Sequence, residues 1–214
     1  MLSPAAVILD FDGVMAQTSR MKLELLMTVA RECGVSGLVE LAEALTGSLA
    51  GMDRFSVGAW IAERDDLVTQ DHFASHYSNA LADRMLSAEM CDGLDEFVVG
   101  LVQRGVPVAV VSLAPADEIR SWLRAVGIDE HLFISIRGLE SGDKLTNTRS
   151  VVSELEFAPS RIVSVGDSPT DGDVAAVVGL AFIRVRSATG DLFRWEREPS
   201  LTVNSLADLI WQLR

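Results

Sequence analysis

Apolar residues occur along the chain in short runs, each bounded by polar or turn-forming residues. Runs of this length are typical of strands that are buried on both faces of a sheet. We predict such strands at Ala5–Leu9, VPVAVVS (106–112), HLFISI (131–136), RIVSVGD (161–167) and AFIRV (181–185). The longest apolar run, around residues 106–115, is well short of a membrane span.

Amphipathic segments alternate with these strands from about residue 90 onward. Helices are predicted at GLDEFVVGLVQRG (93–105), Ala116–Val126, Thr146–Leu155, Asp171–Val178 and SLADLIWQL (205–213). Strands that alternate with helices of this length imply a parallel sheet covered by helices on both faces. The predicted fold class is therefore α/β, with a Rossmann-like three-layer core.

The segment after the first predicted strand has a different pattern of apolar and polar residues, which predicts helices throughout and no strand. Amphipathic helices are predicted within RMKLELLMTVARECG (20–34), GLVELAEALTG (37–47) and FSVGAWIAERDDL (55–67). We interpret this segment as an insertion. The predicted core comprises residues 1–16 and 87–214, and the helical insertion comprises residues 17–86.

Composition narrows the classes of partner. The 214 residues are 49% hydrophobic and 23% charged, with a formal net charge of −13, which argues against nucleic acid and anionic membranes as partners. The N-terminus lacks the pattern of a signal peptide, and Cys33 and Cys91 form no disulfide or zinc pattern, so we expect a cytoplasmic protein. Only two lysines occur, Lys22 and Lys144, so each is a candidate for a special role.

Polar residues follow three of the predicted strands. Asp10 and Asp12 follow the first, Ser112 the second, and GDSPTD places Asp167 and Asp171 after a third. Ligands of an open parallel sheet bind outside the carboxyl ends of its strands, so these groups and Lys144 should converge there. Clustered carboxylates repel one another unless a cation neutralises them, and oxygen ligands favour a hard ion such as Mg²⁺. The sequence thus predicts a Mg²⁺ site, which with Lys144 could bind a phosphate.

Geometry suggests a role for each group. Asp10 ends a rigid strand and is suited to act as a nucleophile, while Asp12, two residues on, faces the same way and could protonate a leaving group. Gly13 would allow close approach of the backbone to a ligand. The Ser112 hydroxyl could donate a hydrogen bond to a phosphoryl oxygen. Asp167 would bind the metal directly, with Asp171 as a ligand or a holder of metal-bound water.

These motifs resemble those of the haloacid dehalogenase-like hydrolase superfamily. DFDGV is similar to its first motif, VVS to its second, GDK to its third and VGDSPTD to its fourth. The helical insertion resembles the C1-type cap of the members that are like phosphoglycolate phosphatase and β-phosphoglucomutase. The resemblance implies catalytic roles for Asp10, Asp12, Ser112 and Lys144, metal contacts through Asp10 and the Asp12 backbone carbonyl, and a substrate contact at Leu113. Arg54 is a further candidate for binding substrate from the insertion.

Two positions depart from the family pattern. Gln17 stands where many relatives have an acid, and GDKLTN replaces the commoner KPxP around the lysine. Neither change removes a catalytic group. True dehalogenases of this fold lack an aspartate at the place of Asp12, so its presence favours phosphoryl transfer.

The function predicted from the sequence is a Mg²⁺-dependent phosphatase that hydrolyses a small phosphomonoester through an aspartyl-phosphate. A phosphomutase of the β-phosphoglucomutase type would use the same motifs and remains an alternative. A phosphonatase, which would need a cap lysine, and a non-catalytic binding module are less favoured. The expected partner is a small phosphorylated metabolite, and the expected state is a monomer or a homodimer.

Overall fold

The computed structural model describes residues 3–210, except the side chain of Asp83. Its centre is a parallel sheet in the order β3-β2-β1-β4-β5-β6. The strands are β1 (Ala6–Leu9), β2 (Val108–Val111), β3 (Phe133–Arg137), β4 (Ile162–Gly166), β5 (Ala181–Val185) and β6 (Leu201–Val203). The predicted α/β class is confirmed, and the order places β1 at the middle of the sheet between β2 and β4.

Nine helices accompany the strands in the described part of the chain. They are α1 (Ser19–Glu32), α2 (Leu38–Thr46), α3 (Arg54–Ala62), α4 (Gln70–Met85), α5 (Leu94–Gln103), α6 (Ala116–Val126), α7 (Lys144–Leu155), α8 (Pro169–Val178) and α9 (Leu206–Ile210). None of the helices in residues 3–210 has the length and apolar character needed to cross a membrane. The predicted helix SLADLIWQL is observed as α9, and its last residues lie outside the described range.

Alternate residues of β1 enter two different apolar clusters, as expected for a strand covered on both faces. Val7 and Leu9 pack in the cluster that includes residues of α5, α6 and α9. Ala6 and Ile8 pack in a second cluster with residues of α7 and α8. The sheet is therefore the middle of three layers, and burial on both faces explains why β1 and β2 have continuous apolar sequences.

The structure differs from the sequence-based prediction at some element boundaries. β6 was missed because its three residues, LTV, are too short to show a period, yet they pair with β5. The first residue of α7 is Lys144 rather than Thr146, because the Asp143 side chain accepts a hydrogen bond from the Thr146 amide and caps the helix. The start of α8 is likewise earlier than predicted, because Ser168 and Asp171 form a capping box.

Helices α1–α4 lie between β1 and α5, and the chain enters and leaves this segment at adjacent points. The Gln17 amide donates to the Glu89 carbonyl at 2.9 Å, and Ala16 and Met90 form an antiparallel bridge. The Gln17 side chain adds a hydrogen bond to the Met90 carbonyl at 2.9 Å. Gln17, which departs from the family pattern, thus joins the two segments that connect helices α1–α4 to β1 and α5.

Candidate active site

The polar residues predicted at strand ends lie at one edge of the sheet. Asp10 follows β1, Ser112 follows β2 and Asp167 follows β4, and these three strands are adjacent and parallel. All three side chains are buried. The apolar strands hold them in fixed positions, because the flanking residues are packed on both faces of the sheet.

Lys144 connects two of the acids. Its Nζ lies 2.8 Å from Asp10 Oδ1 and also pairs with Asp171 Oδ1. The side chains of the three residues are at most 10% exposed, so water screens these pairs weakly. Burial opposes the charge on Lys144, but Asp10 and Asp171 outweigh it and raise the pKa of the lysine above its ordinary value. Lys144 is therefore a fixed cation at this end of the site.

Asp10, Asp167 and Asp171 form a carboxylate cluster in which one oxygen of each lies within 4.8 Å of the others. Burial, partly offset by Lys144, raises the pKa of Asp10 from 3.8 to about 8. Burial, reinforced by the charge of Asp171, raises the pKa of Asp167 from 3.8 to about 7. When all three carboxyls are ionised, the cluster carries more negative charge than Lys144 alone neutralises.

Asp171 has both carboxylate oxygens occupied. Its Oδ2 accepts hydrogen bonds from the Asp167 amide, the Ser168 amide and the Ser168 hydroxyl, at 3.2, 3.0 and 2.7 Å. Its Oδ1 pairs with Lys144. Asp171 therefore also shapes the turn that presents Asp167.

Asp12 is held from the helical segment, through residues that the sequence analysis gave no role at the site. Lys22 Nζ lies 2.7 Å from its carboxylate, and Thr18 Oγ1 donates to Asp12 Oδ1 at 2.5 Å. Lys22 lies in the first turn of α1. The only feature of the sequence that singled it out is that the chain has just two lysines. Both lysines of the chain thus contact an acid of this site.

Gly13 lies against Asp167. Its φ of 71° is left-handed, and a Cβ at this position would fall 2.0 Å from Asp167 Oδ2 and 2.3 Å from Ser19 Oγ. Ser19 Oγ donates to the same Asp167 oxygen at 2.7 Å. The space next to Gly13 is therefore filled by the Asp167 carboxylate, and Ser19 is a further contact that the sequence analysis did not identify.

The remaining predicted residues also reach the site. Ser112 Oγ accepts from the Ala114 amide at 3.1 Å, which leaves its own proton free to be donated. Leu113 lines the cavity. Arg54 lines it too, but its guanidinium donates to Ser78 Oγ at 2.7 Å and to Glu118 at 3.1 Å. Arg54 is thus already paired with an acid of α6.

A cavity of about 140 Å³ joins these groups. The polar part of the cavity is lined by Asp10, Asp12, Lys22, Lys144, Asp167 and their neighbours. Part of the apolar lining, called here the leucine wall, consists of four leucines from α1, α2 and the loop after α2: Leu23, Leu26, Leu45 and Leu49. Tyr77 and Thr189 also line it, and burial raises the pKa of Tyr77 above its ordinary value. Both residues are almost fully buried, and neither was identified from the sequence.

The donor set fits a hard divalent cation. All its side-chain donors are carboxylate oxygens, they are buried, and they converge within 4.8 Å. Burial and the neighbouring carboxylates raise the pKa values of Asp10 and Asp167, because both make the ionised forms less stable. A bound cation would stabilise those ionised forms. Asp10, Asp167 and Asp171 are therefore the residues that could hold Mg²⁺.

The chain is similar to a curated protein and to several solved structures. A phosphoglycolate phosphatase from Rhodospirillum rubrum is 24% identical over 218 residues, covering 95% of this chain and 86% of that protein. The fold is similar to β-phosphoglucomutase from Clostridium difficile, with a TM-score of 0.76 and 16% identity over 98% of this chain and 93% of the other. CbbY from Rhodobacter sphaeroides, solved with xylulose-1,5-bisphosphate, has a TM-score of 0.78 and 17% identity, with 96% of each chain covered.

The family itself is shown by a sequence model that covers most of the chain. The model of the haloacid dehalogenase-like hydrolases matches residues 7–185, which contain all four motifs. This match confirms the resemblance predicted from DFDGV, VVS, GDK and VGDSPTD. The chain belongs to the haloacid dehalogenase-like hydrolase family of enzymes.

Proposed function

We propose that the protein is a Mg²⁺-dependent phosphatase that hydrolyses a small phosphomonoester through phosphorylation of Asp10. The observation that carries this proposal is the meeting of Asp10, Lys144, Asp167 and Asp171 beside Asp12 in one cavity. A nucleophile, a proton donor and a cation site for phosphate are the parts that phosphoryl transfer needs.

In the first half of the reaction, an Asp10 oxygen attacks phosphorus and the bond from phosphorus to the ester oxygen breaks. Asp12 gives its proton to the departing alkoxide, so the alcohol leaves neutral. Lys144 and the Ser112 hydroxyl bind the non-bridging oxygens and hold phosphorus in line with Asp10. Lys22 and Thr18 act as positioning residues for Asp12, because both contact its carboxylate.

In the second half, Asp12 takes a proton from water and the resulting hydroxide attacks phosphorus. The bond between phosphorus and Asp10 breaks, which releases inorganic phosphate, restores the Asp10 carboxylate and leaves Asp12 protonated for the next turnover. Mg²⁺ held by Asp10, Asp167 and Asp171, with the Asp12 carbonyl as a further ligand, would offset the negative charge of the phosphoryl oxygens. Lys144 contributes the same kind of stabilisation from the protein itself.

We also propose that residues 17–86 serve as a cap over a core made of residues 1–16 and 87–214. Three contacts support a closed arrangement. Thr170 Oγ1 donates to the Ala50 carbonyl at 2.9 Å, Arg54 pairs with Glu118, and Lys22 pairs with Asp12. Such a segment would exclude water from the cavity during phosphoryl transfer. A cytoplasmic location and a monomeric or homodimeric state stay predictions.

The test is release of phosphate from a panel of phosphate esters with Mg²⁺, and with EDTA as the control. We expect release that requires the metal. The proposal fails if no ester yields phosphate. Isomerised sugar phosphate without net release would instead show a phosphomutase, and substrate trapped on Lys22 by borohydride would show a phosphonatase.

A further inference from the structure

The leucine wall and its neighbours limit what the leaving group can be. Leu23, Leu26, Leu45 and Leu49 offer no hydrogen bond, and they form the side of the cavity contributed by the helical segment. A polyhydroxylated leaving group placed against them would lose its hydrogen bonds to water without replacement. Each buried hydroxyl left unpaired is costly, whereas each buried methylene is stabilising.

The polar groups of the same segment are already committed. Ser19 donates to Asp167, Lys22 contacts Asp12, and Asp53 accepts from the Phe55 and Ser56 amides at the start of α3. Two hydroxyls remain. Thr189 Oγ1 is buried without a hydrogen-bond partner, and no described residue of 3–210 donates to or accepts from the Tyr77 hydroxyl. These two hydroxyls are therefore available to pair with polar atoms of a leaving group, whereas the leucines offer none.

The charges of the cavity disfavour a second anionic group on the substrate. Its lining cations in the described chain are Lys22, Arg54 and Lys144, and each one is paired with a carboxylate. A carboxylate or second phosphate on the leaving group would have to break the Lys22–Asp12 pair or the Arg54–Glu118 pair. Breaking either pair leaves a partly buried carboxylate without its cation.

The cavity is also small. Its volume of about 140 Å³ is close to the ~150 Å³ of an apolar protein cavity that holds benzene. The phosphoryl group takes part of this space, so only a short leaving group fits wholly against the leucine wall.

We infer that the preferred substrate is the phosphate monoester of a small, largely apolar alcohol that carries no second anionic group. This inference rests on the proposed function, since it assumes that the ester is cleaved at Asp10. It separates the protein from enzymes whose substrates are sugar phosphates or phosphorylated hydroxy acids. The leaving-group carbons lie against the leucine wall, and one hydroxyl can pair with Tyr77 or Thr189.

The test compares esters that are matched in carbon number. Pentyl phosphate is compared with ribose 5-phosphate, and ethyl phosphate with 2-phosphoglycolate, by kcat/KM at saturating Mg²⁺. We expect the apolar member to be favoured at least about tenfold in each pair, and each methylene added to ethyl phosphate to raise kcat/KM about fourfold until the cavity is filled. Equal or higher kcat/KM for the sugar phosphate or for 2-phosphoglycolate overturns the inference while leaving the phosphatase proposal intact.

A variant links the preference to the wall. Leu26→Asn should lower the ratio of pentyl phosphate to ribose 5-phosphate severalfold, because it places an amide where the apolar chain lies. Leu132→Asn is the matched control, since Leu132 is also a partly buried leucine packed against the core but does not line the cavity. The control should leave the ratio unchanged. An unchanged ratio in folded Leu26→Asn protein contradicts the inference.

A binding measurement separates the inference from turnover. Calorimetry with pentylphosphonate and with phosphonoacetate, which cannot be hydrolysed, reports the preference of the cavity directly. Tighter binding of pentylphosphonate supports the apolar preference of the cavity even if no ester is hydrolysed, in which case the phosphatase proposal fails and the apolar ester is a ligand and not a substrate. Tighter binding of phosphonoacetate overturns the inference.

Discussion

The carboxylate cluster and the leucine wall line the same cavity, but their residues come from different kinds of secondary-structure position. Asp10 and Asp167 come directly after buried strands, and Asp171 and Lys144 lie in the first turns of helices, so each has one fixed position. The leucines come from helix faces and a loop of residues 19–53, where apolar residues serve packing as readily as binding. Under the proposed function, the reaction depends on side chains at strand ends and helix starts, whereas the choice of substrate depends on leucines that resemble ordinary core residues.

The largest effect is expected from replacing Asp10, the proposed nucleophile, because this change removes one strand-end group and leaves the leucine wall intact. Asp10→Asn should lower phosphate release by more than about 10⁴-fold, because the amide cannot attack phosphorus. The fold should persist, since Lys144 keeps its ion pair with Asp171, and circular dichroism of thermal unfolding checks it. Activity within tenfold of the native enzyme would rule out Asp10 as the nucleophile.

Gly13→Ala tests whether the position of Asp167 matters as much as its identity. A Cβ here would meet Asp167 Oδ2 at 2.0 Å, so the carboxylate must move. We expect a loss of Mg²⁺ affinity of about 10- to 100-fold, measured by calorimetry. The strain of a left-handed alanine adds about 1 kcal/mol of destabilisation.

Gly34→Ala is the matched control for that variant. Gly34 has φ of 78°, and no atom lies within 4 Å of a Cβ placed there. The control should show the same strain in its unfolding free energy but bind Mg²⁺ as the native protein does. Equal loss of Mg²⁺ affinity in both variants would show that Gly13 acts only through backbone strain.

Lys22→Met probes the link between the helical segment and the chemistry. Without the ammonium, Asp12 keeps Thr18 but loses its ion pair, and we expect kcat to fall about tenfold. Lys22→Arg should restore most of the rate, because it keeps the charge. The measurement is kcat for alkyl and p-nitrophenyl phosphates, and the loss should be larger for the alkyl ester, whose leaving group needs the proton. A loss that is equal for both esters and not rescued by Arg would assign Lys22 a structural role only.

The smallest expected effect concerns pH in the metal-free protein. Burial raises the pKa of Asp10 to about 8 and of Asp167 to about 7, above the 3.8 of an unperturbed Asp. The folded state therefore binds these protons more tightly than the unfolded state, and stability is lost as the pH rises from about 4 to about 8. Urea unfolding in EDTA should show this decline, and Asp167→Asn should reduce it. A rise in stability over the same range would contradict the charge balance described for the cluster.

The sequence was sufficient to predict the strand-end residues, for physical reasons. Asp10, Ser112 and Asp167 each interrupt an apolar run, and carboxyl ends of parallel strands meet at one edge. Their roles remain proposals, but their meeting in one cavity is observed. The strands β1, β2, β4 and β5 were predicted because most of their residues are buried, and β3 was predicted from its apolar run although only Phe133 in it is buried.

The contacts made across the chain could not be predicted in the same way. Thr189 lies on a loop after β5 and Tyr77 on α4, and no spacing links either of them to Asp10. Lys22 could be singled out as rare, but its partner Asp12 is set by where α1 packs. The leucine wall has no signal of its own, because Leu45 and Leu49 are as buried as core leucines.

The most direct test of the central claim, that Asp10 accepts the phosphoryl group, is chemical trapping during turnover. The enzyme is mixed with excess ester and Mg²⁺, quenched with acid, treated with borohydride and mapped by mass spectrometry. Borohydride reduces an acyl phosphate to an alcohol, so the account predicts homoserine at position 10 and unmodified aspartate at positions 12, 167 and 171. Phosphate release with no modified aspartate, and with inverted configuration at phosphorus, would contradict it.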